Sequence, residues 1–146
     1  MAGFGPLGGV PGKQFALAML AQGYQRLGRH DQALAIFDQG LAHVERSGEM
    51  LDTAEILRLK GELLLVRDGL PDEAERCFRT AIELAREQKA RWWELRSTVS
   101  LARLLAKQGR RDEARAMLAD IYNWFTEGFD TGDLIDAKAL LDELSN

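Results

Sequence analysis

The chain has 146 residues, 46% of them hydrophobic and 29% charged, with a formal net charge of −4. That composition fits one soluble globular domain able to bury a core of its own, and it excludes a disordered chain. No uncharged apolar stretch approaches the roughly 18 residues that cross a membrane, and the lone cysteine, Cys77, excludes an intrachain disulfide or a multi-cysteine metal cage. A reducing, cytoplasmic setting is therefore expected, with Cys77 packing beside Phe78 on an apolar helix face.

In chain order, residues 1–12, MAGFGPLGGVPG, come first and hold five glycines and two prolines. So many breakers predict a flexible leader. The adjoining GGVPGKQ has a partial likeness to a phosphate-binding P-loop, whose glycines let backbone N–H groups surround phosphates. Leu7 stands where the first glycine is needed and Gln14 where a metal-binding hydroxyl is needed, so the match fails.

From Lys13 onward apolar residues recur at helical spacing, and one phrase punctuates them three times: LGRHDQALAIF from Leu27, DGLPDEAERCF from Asp68 and QGRRDEARAML from Gln108. Each phrase marks a helix end followed by a helix start. Gly28 and Gly109 suit a left-handed C-terminus, Pro71 suits a first helical turn, and Asp31, Asp72 and Asp112 sit where the helix dipole favours an acid. Before the marks run Leu17, Leu20, Ala21 and Tyr24; then Leu57, Gly61 and Leu64; then Leu101, Ala102 and Leu105. After them run Ala33, Phe37, Gly40, Leu41 and Val44; then Ala74, Cys77, Phe78, Ala81 and Ala85; then Ala114, Met117, Leu118, Ile121 and Phe125. The alanines Ala33, Ala74 and Ala114 recur at 41 and 40 residues, which predicts stacked helical hairpins, none able to bury its apolar face alone. A last helix over about Asp133 to Leu144 sets Leu134, Ala137, Leu140, Leu141 and Leu144 on one side and charges elsewhere, the pattern of a solenoid cap.

With small, aromatic, glycine, alanine and aromatic landmarks at Ala21, Tyr24, Gly28, Ala33 and Phe37, residues 14 to 128 resemble the tetratricopeptide repeat family. The resemblance implies an all-α fold, a right-handed α-α superhelix of three long helical hairpins plus a C-terminal capping helix. The repeats would span about 13–48, 49–89 and 90–128, followed by a loop and cap at 129–146. Their period exceeds the usual roughly 34 residues, lengthening each helix pair by roughly 9 Å in total. Residues 96 to 144, and the phrase NWFTEGFDT from Asn123 above all, further resemble the C-terminal ends of bacterial proteins joining a class III adenylate/guanylate cyclase domain to a predicted ATPase and a tetratricopeptide tail. Some winged-helix transcription regulators carry a similar tail. Gly132 stands where such tails often have proline, a departure expected to touch only a loop.

Catalysis is not expected. His30 and His43 have no spacing that would let them share a metal or a nucleophile, and the recurring Asp-Glu pairs at helix starts answer to the dipole. Neither metal nor cofactor is implied. Binding is better supported, because the net charge conceals a polarised chain: residues 89–111 carry seven basic residues and one acidic, whereas 112–146 carry two basic and nine acidic. Arg96, Arg103 and Lys107, at steps of seven and four, share one helix face. The family resemblance places that face in a concave groove, together with Gln22, Gln25 and Arg26 from the first repeat and Glu55, Arg58 and Glu62 from the second. Two readings follow: the basic face is solvated or neutralised by the acidic tail, or it receives an acidic peptide. The acidic pI and the lack of interleaved stacking aromatics argue against nucleic acid; one or both of Trp92 and Trp93 are expected to pack at the repeat junction. The expected role is that of a protein-interaction scaffold, or of a regulatory tail of a longer cyclase or ATPase chain.

Overall fold

The computed structural model describes residues 21–47 and 53–145. The leader, the P-loop-like stretch and the expected stripe residues Leu17 and Leu20 lie outside the described residues, as do the side chains of His43 and Val44. Among the described residues every regular element is a helix. A helical segment at 21–26 (α1) precedes α2 (His30–Ser47), α3 (Thr53–Asp68), α4 (Pro71–Glu87), α5 (Arg91–Lys107), α6 (Arg111–Tyr122) and α7 (Gly132–Leu144). Links of two or three residues separate most neighbours and force successive helices to double back. The chain forms two compact units, one ending at Cys77 and the other beginning at Phe78.

The turns are chemically alike. After α5, Arg110 N–H reaches Leu105 O at 2.9 Å and Gly109 N–H reaches Ala106 O at 3.1 Å, the paired bonds of a Schellman cap. Gly109 has φ +81°, which a side chain would strain, and Gly28 at +79° closes α1 with matching bonds from Arg29 to Tyr24 and from Gly28 to Gln25. The end of α4 has no glycine. Lys89 takes φ +57° there, with Ala90 N–H bonded to Ala85 O at 2.8 Å. At the other ends acids take the place of side-chain caps: α5, α6 and α7 make no side-chain cap hydrogen bond, but each carries Glu94, Asp112 with Glu113, or Asp133 in its first turn.

In the first unit α2 packs on α3 around Ala21, Ala33, Phe37, Ile56, Leu59 and Leu63, flanked by Tyr24, Leu34, Ile36 and Leu41. The stripe expected on α3 is partly displaced: Gly61 and Leu64 are buried, Leu57 is only half-buried, and Ile56 and Leu63 supply the deepest packing. Ile56 and Leu63 are seven residues apart and Leu59 lies between them, so an equally valid helical stripe was available one position away. Cys77 is likewise half-buried and not in the core; partial burial pushes its thiol pKa up. In the second unit α5, α6 and α7 pack mutually, with Leu95, Leu101, Leu105, Leu118 and Leu134 closed off from solvent. The small residues Ala102 and Ala114 are fully buried, consistent with close helix approach.

Two boundaries differ from expectation. The stripe of α6 was expected to run to Phe125, but the helix ends at Tyr122, where Trp124 N–H and Phe125 N–H bond three residues back and tighten the chain into turns. Phe125 still packs, edge-on against Trp92 at 5.2 Å. Gly132 is not a loop residue: it opens α7, after an extended Thr131 whose hydroxyl donates to Gly128 O at 2.6 Å.

Candidate partner-binding faces

On the first unit, α1 presents Gln22 and Gln25 half-buried and Arg26 exposed. These three side chains, with His30 and Val66, line an open depression of about 260 Å³. The position of Val66 has a simple cause. It lies one turn beyond Glu62 on the α3 face that already carries Glu55, Arg58 and Glu62, at steps of three, four and four. The same spacing, extended by one turn, would have found it in the sequence. The depression thus offers two amides, a guanidinium, an imidazole and an exposed isopropyl group, enough to hydrogen-bond a backbone and cover one apolar side chain.

The α3 residues behave differently. Glu55 is 6% exposed, and Arg58 grips it as a fork, donating Nε–H to Oε1 at 2.8 Å and Nη2–H to Oε2 at 2.7 Å. Arg58 Nη1 also lies 3.8 Å from Glu62 Oε2. This strip is held together by pairs three and four residues apart, so it is a rigid charged ledge. Lys60, on another side of α3, reaches Asp38 of α2 at 2.8 Å and pins the hairpin from outside.

On the second unit, Arg96, Arg103 and Lys107 follow one face of α5, and the acidic terminal helix lies alongside. Arg96 Nε is 3.7 Å from Asp133 Oδ1, and its guanidinium sits 5.8 Å from the Trp93 ring. Arg103 is exposed and shares an open depression of about 220 Å³ with Asp136, Ala139, Leu140 and Glu143. Lys107 is exposed. Several other arginines of the second unit are engaged with neighbouring groups. Arg91 and Arg86 both donate to the buried carboxylate of Glu94, Arg110 pairs with Glu113, and Arg111 donates to Glu143 O at 2.7 Å. Arg79 of α4 also donates to Glu113 at 2.9 Å, and this bond, reinforced by the one from Arg110, holds the Glu113 carboxyl below the usual carboxylate range.

An aromatic cluster escaped the sequence reading. Trp92 packs edge-on against Phe125, Trp124 packs edge-on against the same ring at 5.1 Å, and Arg91 lies 5.4 Å from the Trp124 ring. Trp92 thus packs within its own expected repeat, on the turn after α6, rather than at a junction between repeats, and Trp124 remains more than half exposed. The signal was present in the phrase NWF, whose two rings follow a helix end directly.

Among the described residues no group of three or more histidine, cysteine, aspartate or glutamate side chains could hold a metal ion, and no helix is long and apolar enough to cross a membrane. A family model for the tetratricopeptide repeat matches residues 14–87 and, in a second placement further along the chain, residues 52–127. No curated protein sequence matches the chain.

Proposed function

Because the chain belongs to the tetratricopeptide repeat family, whose repeats generally mediate protein–protein interaction, we propose that it is a non-catalytic module that binds a peptide or protein partner on its concave helix face. One observation carries this reading: Gln22, Gln25 and Arg26, at groove positions in the family, converge with His30 and Val66 on a single open depression. Arg58, Arg96, Arg103 and Lys107 extend the same set of helix positions, with Glu55 and Glu62 bracing Arg58. The repeats are taken as about 13–48, 49–89 and 90–128, with the remainder as loop and cap, in a cytoplasmic setting. Affinity capture with the whole chain tests the proposal when run beside an Arg26→Glu variant and an Arg103→Glu variant. A partner retained by the parent, lost from either variant and weakened by added salt supports it. Capture indifferent to both reversals, with unchanged far-UV ellipticity, removes the concave face from consideration.

A second reading places the chain as the regulatory tail of a longer cyclase, ATPase or transcription-regulator protein. It is favoured by the likeness of residues 96 to 144, with NWFTEGFDT at its centre, to such tails. In that setting the partner is another domain of the same parent chain. Co-expression of the chain with a separately encoded upstream domain of such a parent, followed by co-purification, distinguishes this case from a stand-alone adaptor.

A further inference from the structure

Resting on the reading of the α5 face as a partner-binding surface, we infer that this surface selects a segment of mixed charge, acidic along one edge and basic along the other, in preference to a purely acidic one. The ground is the pairing of two charged rows. Arg96, Arg103 and Lys107 advance along α5; Asp133, Asp136 and Glu143 advance along α7. Arg96 meets Asp133 at 3.7 Å near the starts of both helices, and Arg103 meets Asp136 and Glu143 across one depression further on. The rows therefore run in the same direction, side by side.

Packed helices stand about 8–10 Å apart, close to the Debye length of about 8 Å at physiological ionic strength. A charge approaching the strip consequently feels both rows, three positive and three negative, and their long-range fields largely cancel. A purely acidic segment is drawn to Arg103 and Lys107 but repelled by Asp136 and Glu143. An extended segment with alternating acidic and basic residues avoids this conflict, because successive side chains point to opposite edges. Its carboxylates meet the α5 guanidiniums while its ammonium groups meet the α7 carboxylates. Arg103 is well placed to accept such a carboxylate: it is exposed and lines the depression between the two rows. The depression beside it, about 220 Å³ and lined by Ala139 and Leu140 among others, has room for one side chain of the segment.

The experiment uses the whole chain and three synthetic peptides of equal length at low ionic strength: alternating glutamate–lysine, polyglutamate and polylysine. The alternating peptide is expected to bind about tenfold more tightly than either homopolymer, the yield of a few exposed ion pairs. Both Arg103→Glu and Asp136→Lys should erase that preference while the helical signal stays intact, the first shifting selectivity toward polylysine and the second toward polyglutamate. If polyglutamate binds tightest and Asp136→Lys leaves it unchanged, the mixed-charge inference is wrong and the α5 face survives as an acidic-peptide site. If none of the three peptides responds to Arg103→Glu or Asp136→Lys, the inference and the partner-binding reading of this face fall together.

Discussion

At Lys89 a bulky side chain occupies a backbone conformation that the ends of α1 and α5 assign to glycine. Left-handed backbone costs an L-residue roughly 1–2 kcal/mol, while a glycine adds unfolded-state freedom worth about 0.5–1 kcal/mol. Lys89→Gly should therefore stabilise the second unit by about 0.5 kcal/mol, read as a raised denaturation midpoint, since both Schellman bonds are already in place. Phe78 is the opposite case. Its ring has no exposed surface, and Phe78→Ala should cost about 3–5 kcal/mol; an unchanged melting temperature would refute its place in the core. Residue by residue, the sequence disclosed those features whose cause is local. Gly28 and Gly109 announced their turns because a left-handed turn tolerates little else. Lys89 announced nothing, because its strain is accepted where two helices must turn. Cys77 misled because its stripe position is shared with genuine core residues one turn away.

The individual helix exposes a different kind of information. α7 begins at Gly132, with Thr131 extended at φ −78° and ψ 152° and no atom within 4 Å of where a Cβ on Gly132 would stand. A first helical position needs no N–H partner, and an extended preceding residue is compatible with proline. Gly132→Pro should thus raise stability by about 0.4–1 kcal/mol through the unfolded state, measured by chemical denaturation. Between α4 and α6, Arg79 and Glu113 supply a pH-dependent contact. Because the native carboxyl titrates below its ordinary value, its contribution is complete above the ordinary carboxylate pKa of about 4.3 and is lost as pH falls through the native one. Arg79→Met should move the Glu113 titration upward in a carbon-detected NMR experiment and flatten the acid limb of stability. Helix existence was legible from periodicity most plainly in α4, where 3.6-residue spacing over 17 residues leaves few alternatives. Side-chain pairing between helices was not. The match of Arg96 to Asp133 depends on how α7 lies against α5, and a one-dimensional count of seven basic residues cannot reveal which carboxylates will stand beside them.

For the whole molecule, the division at Cys77 and Phe78 is the feature with the widest reach, since the break falls inside the continuous helix α4. The repeat period of about 40 residues was visible in the alanine spacing, whereas this break was not: local pattern identifies repeats, and only the distribution of contacts identifies compact blocks. The break has a spectroscopic consequence. The chain's three tryptophans, Trp92, Trp93 and Trp124, all follow Phe78, so indole emission is a lamp mounted in one block alone, while far-UV ellipticity averages over both. Ile56→Ala removes a 1%-exposed side chain from the dark block and should cost about 2–5 kcal/mol there. The ellipticity midpoint in denaturant should fall more than the emission midpoint. Equal displacement of the two curves would mean that the blocks melt as one, and the optical asymmetry of the chain would then carry no thermodynamic boundary with it.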